Sequence, residues 1–349
     1  MQLIRVNETG GPEVMRLEET STPEPGPGQA RIKIEAAGVN FADIYSRTGV
    51  YKRPAPLTLG AEAAGVIDAL GPSDSDGVGD GAGDGAGDTG DADPTLASLA
   101  SLTVGARVAT VGAPGAYAQY AIVPLKQLVA IPDGVTTQTA AAVMLQGMTA
   151  HYLARAIYPP QADDTVLIHA GAGGVGQLLT QIVKLTGAQV IATVSTAEKA
   201  ALARKAGADH VILYTHDDFV QETKRITNDR GVAAVYDGVG KQTFLADMDT
   251  LRRRGWLILF GQSSGAVAPL DPQVLNAKGS LILTRPTLGD YVADRAELTQ
   301  RAGDLFQWIA DGKLRVTIDR TWPLAQAADA HRYMEARQTQ GKVLLIPWS

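Results

Sequence analysis

The sequence predicts an α/β protein in which a doubly wound parallel sheet is joined to a smaller, barrel-like unit of short strands. Three observations point there. From about Thr165, six apolar runs alternate with helical stretches; a glycine-rich turn follows the first of these runs; and the first third of the chain holds short apolar runs broken by Gly and Pro.

At 349 residues the chain is longer than one compact core usually supports, so two domains are expected. The barrel-like unit is read from Arg31–Ala37, Glu62–Leu70, Ala106–Val111 and Tyr117–Val123, bounded by turns at Pro23–Gly26, Gly71–Pro72 and Gly112–Gly115. The sheet is read from Val166–Ala170, Val190–Val194, Val211–Tyr214, Ala233–Tyr236, Trp256–Phe260 and Leu281–Leu283. Continuous apolar runs at this spacing are the pattern of parallel strands covered on both faces by crossover helices. A helix at Ala325–Ala336 and a strand at Val343–Ile346 close the chain in the style of its opening. The N-terminal unit can therefore recover this tail, which gives domains at 1–145 with 286–349, and at 146–285.

Composition excludes several classes of function. There are no cysteines, so disulfides, thiolate catalysis, iron–sulfur clusters and the usual structural zinc sites are out. No apolar run reaches the length of a membrane span, and the first residues lack the blocks of a secretory signal, so a cytoplasmic location is expected. The net charge of -6 is local: seven aspartates lie in a Gly-Asp tract within 72–101, and the remainder is near neutral. That tract has almost no apolar side chains to offset the entropy of ordering it, and we expect a mobile surface loop. It lacks EF-hand spacing. No basic stripe with interleaved aromatics favours nucleic acid.

The most informative stretch is Gly171-Ala172-Gly173-Gly174-Val175-Gly176, between a buried strand and a helix. Glycines permit the sharp turn and let a pyrophosphate approach the helix N-terminus, where unpaired N–H groups and the helix dipole favour negative charge. In that context the turn predicts dinucleotide binding. An NAD site places a carboxylate at the tip of the second strand, but here Val194 is followed by Ser195 and, four residues on, Lys199. Glu198 is expected one helical turn away. A 2′-phosphate is therefore accommodated, and NADPH is favoured over NADH. Arg204 reads as solvated helix face, and His169 as a packed imidazole.

Taken together these residues resemble the quinone oxidoreductase/ζ-crystallin family of the medium-chain dehydrogenases/reductases, and among its members the bacterial-type NADPH:quinone reductases. The resemblance runs from Gly10–Val14 through Gly38–Asp43, Gly60–Gly65, the glycine turn with Gln181 and Lys184, Tyr236–Gly240 and Phe260–Gly265 to Thr339–Lys342. It implies a GroES-like substrate domain, a Rossmann domain, a cleft between them and a homodimer. Asn40 and Ala61 stand where zinc-dependent relatives carry Cys and His, so catalytic zinc is not expected; neither an amide nor a methyl group replaces thiolate and imidazole.

The same resemblance assigns the site. Asn40, Asp43, Tyr45 and Tyr51 line the cleft, with Asn40 at the nicotinamide ribose or the substrate carbonyl and the tyrosines at the substrate ring. Lys199 and Ser195 take the 2′-phosphate, Tyr214 lies at the adenosine end and Thr149 at the nicotinamide. Val239, Phe260, Gly261, Ser263, Ser264 and Gly265 face the dinucleotide, and Arg337 reaches back to it. The expected reaction is hydride transfer to a quinone, which needs alignment and hydrogen bonds more than acid catalysis. An enone, enal or enoyl thioester acceptor remains open, as does a crystallin-like protein that binds NADPH or RNA without turnover.

Overall fold

The computed structural model describes residues 1–72, 99, 101–112 and 115–349. The loop expected over the Gly-Asp tract lies outside the described residues at 73–98 and 100.

The N-terminal part carries β1 (Gln2–Val6), β2 (Met15–Glu19), β3 (Gln29–Val39), β4 (Leu57–Thr58), β5 (Glu62–Leu70), β6 (Arg107–Val111), β7 (Tyr120–Pro124) and β8 (Leu128–Ala130). The parallel sheet follows as β9 (Thr165–Ile168), β10 (Gln189–Val194), β11 (His210–Leu213), β12 (Val232–Asp237), β13 (Leu251–Leu259) and β14 (Ile282–Thr284). The chain ends with β15 (Ile318–Pro323) and β16 (Lys342–Ile346).

All six apolar runs from Thr165 onward become strands of one parallel sheet, in the order β11-β10-β9-β12-β13-β14. The order reverses between β10 and β12, on either side of β9, and this switch opens a crevice at the carboxyl ends of the strands. Every residue of β12 is buried, as double coverage by helices requires. The other large sheet runs β15-β16-β3-β5-β6-β8, with β7 also on β3. Its register pairs Val343 with Val39, so the C-terminal strand rejoins the strands of the first third.

Helix α1 (Phe41–Arg47) departs from the expectation of strands alone in the first third. Its cause is local: Asn40 and Asp43 form a capping box, with Asp43 Oδ2 accepting from the Asn40 N–H at 2.9 Å. Helix α2 (Thr137–Tyr152) packs on β3, β5 and β6 and runs through the expected division at 145/146. The closing helix is shorter than expected, Ala327–Glu335, because a 3₁₀ turn occupies Leu324–Gln326.

A buried polar chain fixes α1. Arg47, 1% exposed, donates to His331 Nδ1 at 3.0 Å and pairs with Glu335 at 2.5 Å. Because a guanidinium only donates, Nδ1 accepts and Nε2 carries the proton, which it gives to Tyr117 Oη at 3.1 Å. Tyr117 in turn donates to Asp43 at 3.2 Å. Burial, then the Arg47 charge, lowers the His331 pKa to about 3.

An unfolded chain protonates this imidazole near its ordinary value of about 6.5. His331 thus contributes stability above that pH, and the contribution is lost as pH falls towards 3. Asp43, raised by burial to about 6, works with the opposite sign: its contribution is present at low pH and lost as pH rises from 3.8 through 6. His331→Gln should therefore lose less stability than the parent between pH 6.5 and pH 5, by on the order of 2 kcal/mol. Denaturant titrations at both pH values read this difference; equal losses would show that His331 does not resist protonation.

Candidate active site

The glycine turn joins β9 to helix α3 (Gly174–Lys184), whose N-cap is Gly173 and whose N-terminus no side chain caps. The glycines are required by contact. A Cβ on Gly176 would overlap the Ala170 carbonyl oxygen, one on Gly174 would overlap the Gln146 amide, and one on Gly171 would come within 2.6 Å of Ala192 Cβ. Helix and strand pack as closely as backbones allow, and beside the uncapped turn, at Gly173, lies open space.

That space is a cavity of about 320 Å³ at the carboxyl ends of β9 and β10. Of the residues expected at the cofactor, Gly173, Ser195, Lys199, Tyr214, Val239, Ser263 and Arg337 line it. Thr193, Phe219, Gln242, Thr243, Met334 and Thr339 also line it and were not anticipated. Thr193 and Phe219 have a readable signal after the fact: one is the penultimate residue of β10, and the other opens the helix (Phe219–Thr227) after β11. His169 is a packed imidazole, held by Thr193 Oγ1 at 2.8 Å and Asp247 Oδ1 at 2.7 Å, but its ring also forms part of the wall.

The tip of β10 holds no carboxylate. Thr196 caps the next helix (Ala197–Lys205) by accepting from the Lys199 N–H at 3.3 Å, and Glu198 sits exposed in the first turn, off the cavity wall. The Lys199 ammonium is bonded to the Arg337 carbonyl oxygen at 2.7 Å rather than to a carboxylate. Burial, then the nearby Arg337 charge, lowers its pKa. Two cations that repel each other across a cavity wall form a site for an anion.

The remaining cofactor candidates brace the walls. Ser264 Oγ donates to the Val239 carbonyl at 2.7 Å and accepts from the Gln242 N–H at 3.1 Å. Phe260 lies against Gly238, and a Cβ on Gly261 would come within 2.6 Å of the Gly238 oxygen. Gly171, Gly174, Val175 and Gly176 belong to the turn behind the wall, and Thr149 Oγ1 donates within α2 to Leu145 O at 2.7 Å.

A second cavity, about 360 Å³, adjoins the first and shares Phe41, Ser263 and Arg337 with it. Tyr45 and Gly265 line it. Tyr45 meets Tyr51 edge-on with ring centroids 5.2 Å apart, and Tyr51 is 41% exposed. Burial, then the Tyr51 neighbour, pushes the Tyr45 pKa up to about 12, so its hydroxyl keeps its proton and can donate. The Arg285 charge acts on the hydroxyls of both Tyr45 and Tyr152, and Tyr152 stacks on Tyr291 at 4.4 Å. Arg285, Tyr152 and Tyr291 were not read from the sequence.

Asn40 and Asp43 lie elsewhere than expected. Both are 3% exposed and neither lines a described cavity. Asp43 accepts from the N–H groups of Asn40 and Gly60 and from Tyr117 Oη, so its carboxylate ties α1 to the barrel strands instead of facing the cleft. Among the described residues no group of three or more His, Cys, Asp or Glu is placed to hold a metal ion, and no helix is long and apolar enough to cross a membrane.

These features agree with known proteins. The alcohol dehydrogenase GroES-like domain family matches residues 26–133, and the zinc-binding dehydrogenase family matches residues 206–345. The structure of Escherichia coli quinone oxidoreductase complexed with NADPH superposes with a TM-score of 0.90 at 38% identity, covering 99% of this chain and 100% of that one. A mycobacterial protein complexed with NADPH gives a TM-score of 0.90 at 45% identity, with 99% and 100% covered. The 2-haloacrylate reductase of a Burkholderia species is 38% identical over 98% of both chains. Quinone oxidoreductases of Pseudomonas aeruginosa and Escherichia coli share that 38% identity over 97% and 99% of this chain, and with the glycine turn, the carboxylate-free strand tip and the paired sheets in place, the chain belongs to the quinone oxidoreductase family of the medium-chain dehydrogenases/reductases.

Proposed function

We propose that the chain is a zinc-independent NADPH:quinone oxidoreductase that reduces its acceptor by hydride transfer in the cleft between a GroES-like part (1–145 and 286–349) and a Rossmann part (146–285), in the cytoplasm. The observation that carries this reading is the cavity wall where an uncapped helix N-terminus, a strand tip without carboxylate, and the cations Lys199 and Arg337 converge. Those groups fit a dinucleotide with a 2′-phosphate.

When bound, NADPH supplies the hydride from its nicotinamide. The chain's own residues do the rest. Lys199, Ser195 and Arg337 hold the 2′-phosphate, the turn at Gly173–Gly176 receives the pyrophosphate, and Tyr214 borders the adenosine. Val239, Phe260 and the loop Gly261–Gly265 wall the cofactor in, with Thr149 at the nicotinamide. Tyr45 Oη keeps its proton and donates a hydrogen bond to the acceptor's oxygen, while Tyr51 covers the ring and excludes water. No metal enters this account.

A second acceptor class is suggested by the Arg285 charge, which acts on the Tyr45 and Tyr152 hydroxyls. A guanidinium there suits a conjugated acid, in keeping with the relative named for 2-haloacrylate. We also infer a homodimer. β14 is an edge strand of the parallel sheet with Ile282 37% exposed, and an unpaired apolar edge is completed by a second copy.

Lys199→Ala should raise the KM for NADPH by about 10- to 100-fold, the loss of one charge-assisted bond, and leave that for NADH nearly unchanged. Steady-state assays with both coenzymes in a metal chelator check this; equal changes would remove Lys199 from the phosphate, and abolition of turnover by the chelator would defeat zinc independence. With a benzoquinone and a 2-haloacrylate as acceptors, Arg285→Gln should lower kcat/KM for the acid about tenfold and spare the quinone. A loss confined to the quinone would reverse the assignment. Light scattering should give twice the chain mass; a monomeric mass at micromolar concentration would refute the edge-strand dimer.

A further inference from the structure

Glu335, the last residue of the closing helix, lines the second cavity together with Tyr45 and Arg337. Its side chain is 34% exposed, and its inner edge is taken by Arg47, which reaches the two oxygens at 2.5 Å and 3.3 Å. Arg47 cannot follow a moving partner, because its Nε donates to the Gly10 oxygen at 3.1 Å and its Nη1 is shared with His331 at 3.0 Å. The carboxylate is thus fixed in direction. It offers about four lone-pair sites, of which the guanidinium fills two, so its outer edge stays open.

That edge is unusual for this cavity. Glu335 is the one carboxylate among the described residues that line it, whereas Tyr45 keeps its proton as a donor and Arg337 only donates. Phe41, Ile44, Val50 and Ala266 supply apolar surface, and about 360 Å³ accommodates a molecule of naphthoquinone size. A bare quinone carries two carbonyl acceptors and no donor. On entering, it would strip water from Glu335 and return no hydrogen bond, a cost that is greater for a charged group than for a neutral one. A hydroxyl on the acceptor returns that bond in its stronger, charge-assisted form. Because Arg47 compensates the charge, Glu335 acts by contact and not through a field across the cleft.

We propose that Glu335, held by Arg47, is a specificity-determining residue that selects conjugated acceptors bearing a hydroxyl, while Tyr45 donates to the carbonyl that is reduced. The proposal rests on the reading that the acceptor occupies the second cavity. A fixed acceptor and a fixed donor on one wall hold a ligand with the complementary pair in a single orientation. Glu335→Gln changes the polarity of this wall at constant size. A guanidinium only donates, so Arg47 would keep the amide oxygen and turn the NH₂ to the cavity, setting a donor where an acceptor stood.

The test measures kcat/KM with NADPH for 2-hydroxymethyl-1,4-naphthoquinone and for its methyl ether, which lacks the donor. The parent should prefer the alcohol, and in Glu335→Gln the alcohol-to-ether ratio should fall about tenfold, the value of one charge-assisted hydrogen bond. Glu335→Asp keeps a charge for Arg47 but withdraws it from the cavity, so it gives the same comparison, with a fall in the same direction, if the glutamine variant does not fold. A parent ratio near one would overturn the proposal. So would a ratio that the variants leave unchanged while both substrates slow alike, which would reduce Glu335 to a brace for Arg47. Failure of the parent to reduce either naphthoquinone would instead sink the acceptor reading beneath the proposal, and the proposal with it.

Discussion

The antiparallel pairing of β16 with β3 is the constraint on which the rest depends. Its register sets Val343 opposite Val39, which places Lys342 against Asn40 and suspends Arg337, just upstream, over the carboxyl ends of the parallel strands. Without that return of the chain, the anion site at Lys199 would lack its second cation, and Asn40 would lack the charge on its oxygen. One ladder of hydrogen bonds thus sets Lys342 on Asn40 and brings Arg337 to the cavity wall.

What the sequence revealed is what is local. The glycine turn could be read because its chemistry is contained in six consecutive residues, and the strands of the parallel sheet because burial on both faces leaves continuous apolar runs. The NADPH preference was legible at the tip of β10 for the same reason. Arg337 was reachable only through family resemblance, since nothing in its own neighbourhood marks it. Thr193 and Phe219 escaped because their convergence on one cavity wall is created by strand order and helix packing, which periodicity does not encode.

Asp43 shows a different kind of miss. Asn40 and Asp43, three residues apart and followed by Ile44, carry the spacing of a capping box, and that local rule announces helix α1. Family position suggested the cleft instead. The structure sides with the local rule: a carboxylate with three donors already on it, in a site where burial raises its pKa, serves as a bracket between α1, Gly60 and Tyr117.

Lys199 and Lys342 make the division of labour in this molecule concrete. Both are partly or wholly withdrawn from water, yet only Lys342 has a carboxylate against it. A compensated cation adds no net charge to its surroundings, so its field is confined to the side chain it touches, and it can orient an amide without attracting an anion. An uncompensated pair such as Lys199 and Arg337 does the opposite: it raises the energy of the empty cavity, and that excess is relieved when a phosphate enters. The second cavity presents instead a neutral group, Tyr45, whose hydroxyl keeps its proton and can donate without holding charge of its own. A hydride acceptor that disperses its own negative charge asks for no more than that.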